Sequence, residues 1–246
     1  SKYECSVASS TNAICLSLWN KNHEVCVPSM IPPVVLNSII NAGNTITFCD
    51  DVDWVGGSYI LHDFGDYKIV DSAQKVERDQ FVKEANGDDL MIFSFYPTKP
   101  VGGLDGGVIV SNDLDKIKWF KTATMNGMSP EANSWDRGIK FPGWKMYMNS
   151  FQATVALRNL RKLDEKKEAL SKVRSRYNQA FELTNTSEHL YRICVEDRDI
   201  LMGDLKTAGI SSGIHYTATH THPVYHHDAP LPETTYYEKR TLSIPY

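Results

Sequence analysis

No apolar run in the 246-residue chain approaches the ~18 residues needed to span a bilayer. The opening, SKYECSVASS, has no basic stretch followed by a long apolar core, so no secretory leader is expected. Neither sign of charge is in large excess. The 26 Lys and Arg face 30 Asp and Glu, a net −4, which argues against a nucleic-acid binder relying on bulk positive charge. The five cysteines form no C-x-x-C pair. Cys5, Cys26 and Cys49 fall in apolar, strand-like runs and read as reduced core residues of a cytoplasmic-type compartment. Internal repeats and low-complexity segments are lacking too. What is there is 41% hydrophobic residues, enough for a packed core in one large domain or a main domain with an appendage.

Short apolar runs recur through the first half: Cys5–Ala8, Glu24–Val27, Thr45–Cys49, Ser58–Leu61, Tyr67–Val70, Leu90–Phe95 and Gly107–Val110. Most are continuously apolar, as strands covered on both faces are. Helical stretches at Asn12–Asn20 and Pro33–Ala42 separate the first three, and Gly43 fits the second helix's end. The alternation predicts a three-layer α/β/α domain on a mostly parallel mixed sheet. The gaps around Ser58–Leu61 are too short for a crossover helix, so the sheet should be locally antiparallel or trimmed there. A polar, aromatic stretch, Asn126–Met148, follows. After it the sequence predicts one long amphipathic helix over about Ser150–Ala180, with Phe151, Val155, Leu160, Leu163, Leu170, Val173 and Tyr177 on one side. The remainder reads as a small α+β unit: strand LYRICVED, helix RDILMGDLKTAG ending at Gly209, strand ISSGIHY. The expected division is 1–147 for the large domain and 148–246 for the linking helix and small domain.

Ligands of open α/β sheets bind beyond the carboxyl ends of strands, so the loops after the strands matter most. Ser9-Ser10-Thr11-Asn12 opens the first helix, and its hydroxyls and free N–H groups suit either an anion or a simple N-cap. Asp71, after Tyr67–Val70, needs either a neighbouring N–H or Arg, or a cationic ligand atom. Lys99 stands in a stiff Pro97-Thr98-Lys99-Pro100 loop, whereas most lysines are solvated surface charges. The nearby glycine cluster runs into the strand-like GVIVS instead of opening a helix, so dinucleotide and Walker readings fail.

Together these loops resemble the DegT/DnrJ/StrS family of pyridoxal-phosphate sugar aminotransferases, within the fold type I aminotransferases. VASSTNA resembles the family's V-S-S-G-T-A-A, and EVCVPSM its E-V-I-V-P-S. IVDSAQ resembles I-E-D-A-A-Q. FSFYPTKPVGGLDGGVIVSND is similar to S-F-x-x-x-K…G-E-G-G…V-T-N-D. FQATVALRNLRKLDE, GIHYTATHTHPVY and the closing LSIPY are similar to L-Q-A-A-I-A-L-x-Q-L-x-K-L-D-E, V-H-Y-x-P-L-H and L-S-L-P.

The resemblance implies pyridoxal 5'-phosphate as cofactor. Lys99 falls on the Schiff-base lysine, which also moves a proton. Asp71 falls on the carboxylate that keeps the pyridine nitrogen protonated. Ala73 and Gln74 fall where the family covers one ring face and meets the ring hydroxyl. Ser94 matches a phosphate-contacting serine, and Ser10, Thr11 and Asn12 match the helix-start phosphate site. Lys145, in Gly143-Trp144-Lys145-Met146, replaces the Asn that a partner subunit lends to the phosphate; a lysine can serve there as a point charge. Pro32 stands where an aromatic residue usually stacks on the ring. His215, Tyr216 and His220 match a stretch near the substrate. Five of the eight histidines lie between His215 and His227, but their spacing fits no tight metal pattern, so no metal is expected. The implied reaction moves an amino group from an amino acid, glutamate first, to a nucleotide-linked keto sugar, in a homodimer with shared sites, without nucleic acid or membrane. A related sugar dehydratase is the weaker alternative, because family dehydratases carry histidine in place of Lys99. The other alternative is a catalytically inactive binding or regulatory member.

Overall fold

A computed structural model describes residues 1–129 and 138–246, so residues 130–137 of the Asn126–Met148 stretch lie outside it. The first half runs β1 (Tyr3–Val7), α1 (Ser10–Ser17), β2 (Glu24–Pro28), α2 (Pro33–Asn41), β3 (Thr45–Cys49), β4 (Tyr59–Asp63), β5 (Lys68–Asp71), α3 (Gln80–Glu84), β6 (Leu90–Ser94), β7 (Gly107–Ser111) and α4 (Leu114–Thr124). The second half runs α5 (Ser150–Arg161), α6 (Leu163–Phe181), β8 (Tyr191–Cys194), α7 (Arg198–Thr207), α8 (Pro232–Glu238) and β9 (Thr241–Ile244).

The main sheet has the order β1-β7-β6-β5-β4. Side chains alternate across it as the pleat requires. Ile69, Leu90, Ile92 and Ile109 join the large core under α1, α2 and α4. Val70, Met91 and Val110 face the opposite way, with Phe81 of α3. The sheet is therefore covered on both faces, as the apolar runs implied.

The share of parallel pairing is smaller than expected. Only β5–β6 is parallel within this sheet, and β2–β3 form a separate parallel pair. The cause is connection length. A tight turn, with Phe64 N–H on Tyr67 O at 3.0 Å, returns β4 into β5. The helix-free Phe95–Gly106 loop likewise returns β6 into β7. Because β7 is antiparallel to both β1 and β6, strands β1, β6 and β5 point the same way. Their carboxyl ends share one edge, which gathers the Ser9–Asn12, Tyr96–Pro100 and Asp71–Gln74 loops although up to 91 positions separate them in sequence.

The second half departs from expectation in three ways. The long helix is two helices, broken at Lys162, with no Gly or Pro to mark the break. Its apolar stripe is only partly covered: Leu163 is buried, but Phe151 is 80% exposed, and Leu160 and Val173 are exposed too. ISSGIHY is not a strand. Gly213 makes only an isolated bridge to Ser243, and the partner of β8 is the closing segment β9. Backbone pairing of β8 is thus satisfied from the far end of the chain, which left 210–216 free to form a loop. Gly43 and Gly209 follow α2 and α7 with φ of +86° and +76°, the left-handed turn glycine makes at low cost. All five cysteines are free thiols; Cys5 is buried, but Cys26 is exposed and Cys49 half-buried, contrary to the core reading. Among the described residues no helix is long and apolar enough to cross a membrane.

Candidate active site

Asp71 closes β5, and its alternation puts the carboxylate on the α1 side of the sheet, 4% exposed. One oxygen accepts the Ala73 N–H at 2.9 Å; the other accepts the Tyr59 hydroxyl at 3.1 Å. Tyr59 is placed by register, since it lies directly opposite Asp71 in the β4–β5 hairpin. Burial raises the Asp71 pKa, and those two donors and the charge of Lys99 oppose the rise. Burial also keeps Tyr59 protonated, so its O–H donates. A carboxylate so enclosed, with neutral donors in contact, favours a further positive charge beside it.

Lys99 follows β6 in a turn closed by its own N–H on Tyr96 O at 2.9 Å. Two side chains from the helices beyond hold this loop: Asn159 donates to Gly102 O at 2.6 Å and Lys166 to Pro100 O at 2.8 Å. Those donors straddle the break at Lys162. Burial lowers the Lys99 pKa and the charge of Asp71 opposes the fall, so a larger share of the amine is neutral and nucleophilic than in a surface lysine. Its Nζ lies 3.5 Å from His189 Nε2.

Lys99, Asp71, Ala73, Gln74, Ser10 and Thr11 line one cavity, with Tyr59, Trp54 and Pro32 in its wall. Ser10 and Thr11 begin α1, whose cap is the Ser9 hydroxyl accepting the Asn12 N–H at 3.2 Å. That bond occupies the Asn12 amide, while the Ser10 and Thr11 amides carry the helix's free donors. The first turn approaches β7 closely because Gly107 has no side chain: a Cβ there would stand 2.9 Å from Ser10 N and 2.8 Å from Phe93 O. Ser94 pairs with Gly107 and is 2% exposed; its hydroxyl accepts the Tyr96 N–H at 3.3 Å and keeps its own proton to donate.

Gln74 ties this cavity to its surroundings, taking the Gly56 N–H at 2.8 Å and giving an N–H to the Tyr216 hydroxyl at 3.2 Å. Tyr216 stacks on Trp54 at 6.0 Å. His215 is held by Ser243 at 2.9 Å, and burial, with the charges of Lys99 and Arg192, lowers its pKa. His220 is different. Its Nδ1 meets Ser29 Oγ at 2.7 Å in the core; like His215 and Tyr216, it is absent from the lining of this cavity and of the larger one beside it. Its place is in the core, holding the loop that carries it. Lys145 is exposed; Met146 next to it accepts the Ala8 N–H at 2.7 Å, which sets the segment beside the Ser9–Asn12 turn.

Tyr59, Trp54, His189, Asn159, Lys166 and Arg192 escaped the sequence reading. Recognising the β4–β5 hairpin and its register would have found Tyr59. The others are brought in by tertiary packing, which no local pattern encodes.

The DegT/DnrJ/EryC1/StrS aminotransferase family model matches residues 69–246. The spore coat polysaccharide biosynthesis protein SpsC of Bacillus subtilis (strain 168) is 28% identical over 188 residues, covering 64% of this chain and 48% of SpsC. The chain thus spans about half the length of that curated relative. Among solved structures, the aminotransferase TlmJ from Streptoalloteichus hindustanus superposes with a TM-score of 0.82 at 20% identity, over 98% of this chain and 80% of TlmJ. Spr1654 from Streptococcus pneumoniae, solved in a PLP form, gives 0.76 at 17% identity, over 98% and 81%. At these identities the superpositions establish the fold.

Proposed function

Since the chain belongs to the DegT/DnrJ/EryC1/StrS aminotransferase family, we propose that it is a pyridoxal 5'-phosphate-dependent aminotransferase that moves an amino group from an amino acid, with glutamate as donor, to a nucleotide-linked keto sugar. The observation that carries this is one cavity lined by the Lys99 amine, the Asp71 carboxylate and the start of α1.

The donor set fits the cofactor. The buried Asp71 favours a cationic atom, Lys99 is a partly neutral amine, and Ser10, Thr11 and Ser94 offer hydroxyl and amide donors for a phosphate. The space is narrow, about 60 Å³, with Trp54 and Pro32 in its wall. When bound, pyridoxal phosphate supplies an aldehyde for amine exchange and a ring that accepts electrons from the substrate carbon. Asp71 would hold the proton on the pyridine nitrogen. Lys99 would hold the cofactor through its amine, and the same amine would be placed to carry a proton to and from the substrate carbon. Ala73 would cover a ring face, and Gln74 would meet the ring hydroxyl. Ser10, Thr11, Asn12 and Ser94 hold the phosphate, and Lys145 adds its charge to the site of a partner subunit. His215 and Tyr216 face the substrate.

A homodimer is part of the proposal, and the exposed Phe151, Leu157 and Leu160 on α5 are surfaces it would cover. A cytoplasmic location is another part, to which the five free thiols are suited. The division at 147/148 belongs here too: β8 and β9 form their own sheet with its own small core.

The test is spectroscopic. Purified protein with pyridoxal phosphate should be yellow, and millimolar glutamate should convert the visible band to that of the pyridoxamine form. Mass spectrometry against a panel of nucleotide-linked keto sugars then identifies the acceptor. A second reading, a binding protein that keeps the fold, draws on the narrow cavity; a colourless protein that takes up no cofactor would support it.

A further inference from the structure

A second cavity, about 430 Å³, adjoins the first and shares Gly57 and Gln74 with it. Its far wall carries Arg192. Tyr191 and Ile193 turn into the small core around β8 and β9, so the pleat sends Arg192 the other way, into the cavity.

The other paired charges in the wall are locally satisfied. Lys75 meets Glu84 at 2.6 Å and Glu77 at 3.4 Å, and Glu188 meets Lys167 at 2.6 Å. Arg192 has no carboxylate within 4.0 Å among the described residues. One of its N–H groups donates to Val52 O at 3.0 Å, and the rest of its fork has no hydrogen-bond partner among the described residues. Asp53, the nearest acidic influence on it, is exposed and makes no such contact. Desolvation lowers the Arg192 pKa without bringing it near neutrality. A half-buried guanidinium without a carboxylate in contact bears part of its desolvation cost, and an anion in the cavity would offset it.

We propose that this cavity is an oxyanion subsite, in which Arg192 grips the planar oxygens of a carboxylate or phosphate belonging to a small polar ligand. Arg is suited to this because its fork makes two parallel hydrogen bonds to such a group. A ligand reaching past Gly57 and Gln74 would extend toward the cavity that Lys99 lines. The subsite rests on the transferase reading only in taking that ligand to be a reactant.

Titration calorimetry on the full chain tests it, with wild type, R192Q and R192K against 2-oxoglutarate, inorganic pyrophosphate and neutral glucose. An oxyanion probe should bind wild type, bind R192Q roughly tenfold more weakly, the loss of one charged hydrogen-bonding partner, and bind R192K in between. The same differences should hold with and without added pyridoxal phosphate, which separates this subsite from any failure of cofactor binding. Dependence of the 2-oxoglutarate arm on Arg192 identifies a carboxylate ligand; dependence of the pyrophosphate arm identifies a phosphate. Should R192Q fold poorly, phenylglyoxal modification of wild-type Arg192, read by peptide mass spectrometry, should be slowed by the same probe. Equal affinity in wild type and R192Q, or no protection of Arg192, would overturn the proposal.

Discussion

The amine of Lys99 and the ring of His189 meet at 3.5 Å although 90 positions separate them in the chain. Burial, with the charges of Lys99, His215 and Lys166 nearby, pushes the His189 pKa down to about 3. The ring is therefore neutral at every working pH, and its Nε2 lone pair can accept from the amine when the hydrogen stands on Nδ1.

Replacing His189 with Leu should slow covalent capture of pyridoxal phosphate by roughly tenfold, the equivalent of about 1–1.5 kcal/mol for one lost hydrogen bond. His189→Gln should restore part of the rate. Stopped-flow absorbance measures both; equal rates in all proteins would show that the contact does no positioning.

The lowered pKa of Lys99 has a pH signature. Reaction of its amine with acetic anhydride, followed by mass spectrometry, should rise with pH and level off below the range where a surface lysine does. The charge of Asp71 opposes the shift, so in Asp71→Asn the plateau should come at still lower pH. A plateau that moves up, or not at all, contradicts the electrostatics described.

Asp71 should cost stability in the free protein. Its folded-state pKa is raised, so the folded form holds the proton more tightly than the unfolded one, and stability falls as pH rises from the ordinary carboxylate range through that raised value. Asp71→Asn should therefore melt at or above wild type near neutral pH, at about 2–4 °C for each kcal/mol recovered. The difference should shrink in acid. The same variant should fail to bind pyridoxal phosphate. Calorimetric melts across pH, beside cofactor titration, separate the two effects.

Gly107→Ala puts a methyl group into the seam between β7 and the first turn of α1. The neighbours are backbone atoms, which yield poorly, so a loss of about 1–3 kcal/mol is expected. Phosphate affinity should fall with it, since the displaced turn carries Ser10 and Thr11. A variant with wild-type stability and cofactor affinity would show that this close approach is not needed.

Much of this site was legible in the sequence because its parts sit where strands end. Apolar runs mark β5 and β6, and Asp71 and Lys99 are the residues that follow; Ser9–Asn12 announces α1 by its capping chemistry. The same local logic failed where partners come from afar. Parallel and antiparallel strands carry the same apolar runs, so only the short connections at β4–β5 and β6–β7 could reveal the pairing. β8 takes its partner from the last residues of the chain, leaving ISSGIHY as a loop. His220 shares its motif with His215 and Tyr216, yet Ser29 draws it into the core, and nothing near His220 in sequence foretells that bond. The break at Lys162 lacks any breaker residue, and Arg192 sits in an apolar strand pattern that gave no hint of the cavity it faces.

The most direct test of the Lys99 assignment is reduction of the pyridoxal phosphate-loaded protein with borohydride, followed by proteolysis and mass mapping. The expected result is loss of the yellow band with a pyridoxyl group on the peptide containing Lys99, and no adduct in Lys99→Ala. An adduct on another lysine, or a Lys99→Ala protein with the same bleachable colour, would contradict it.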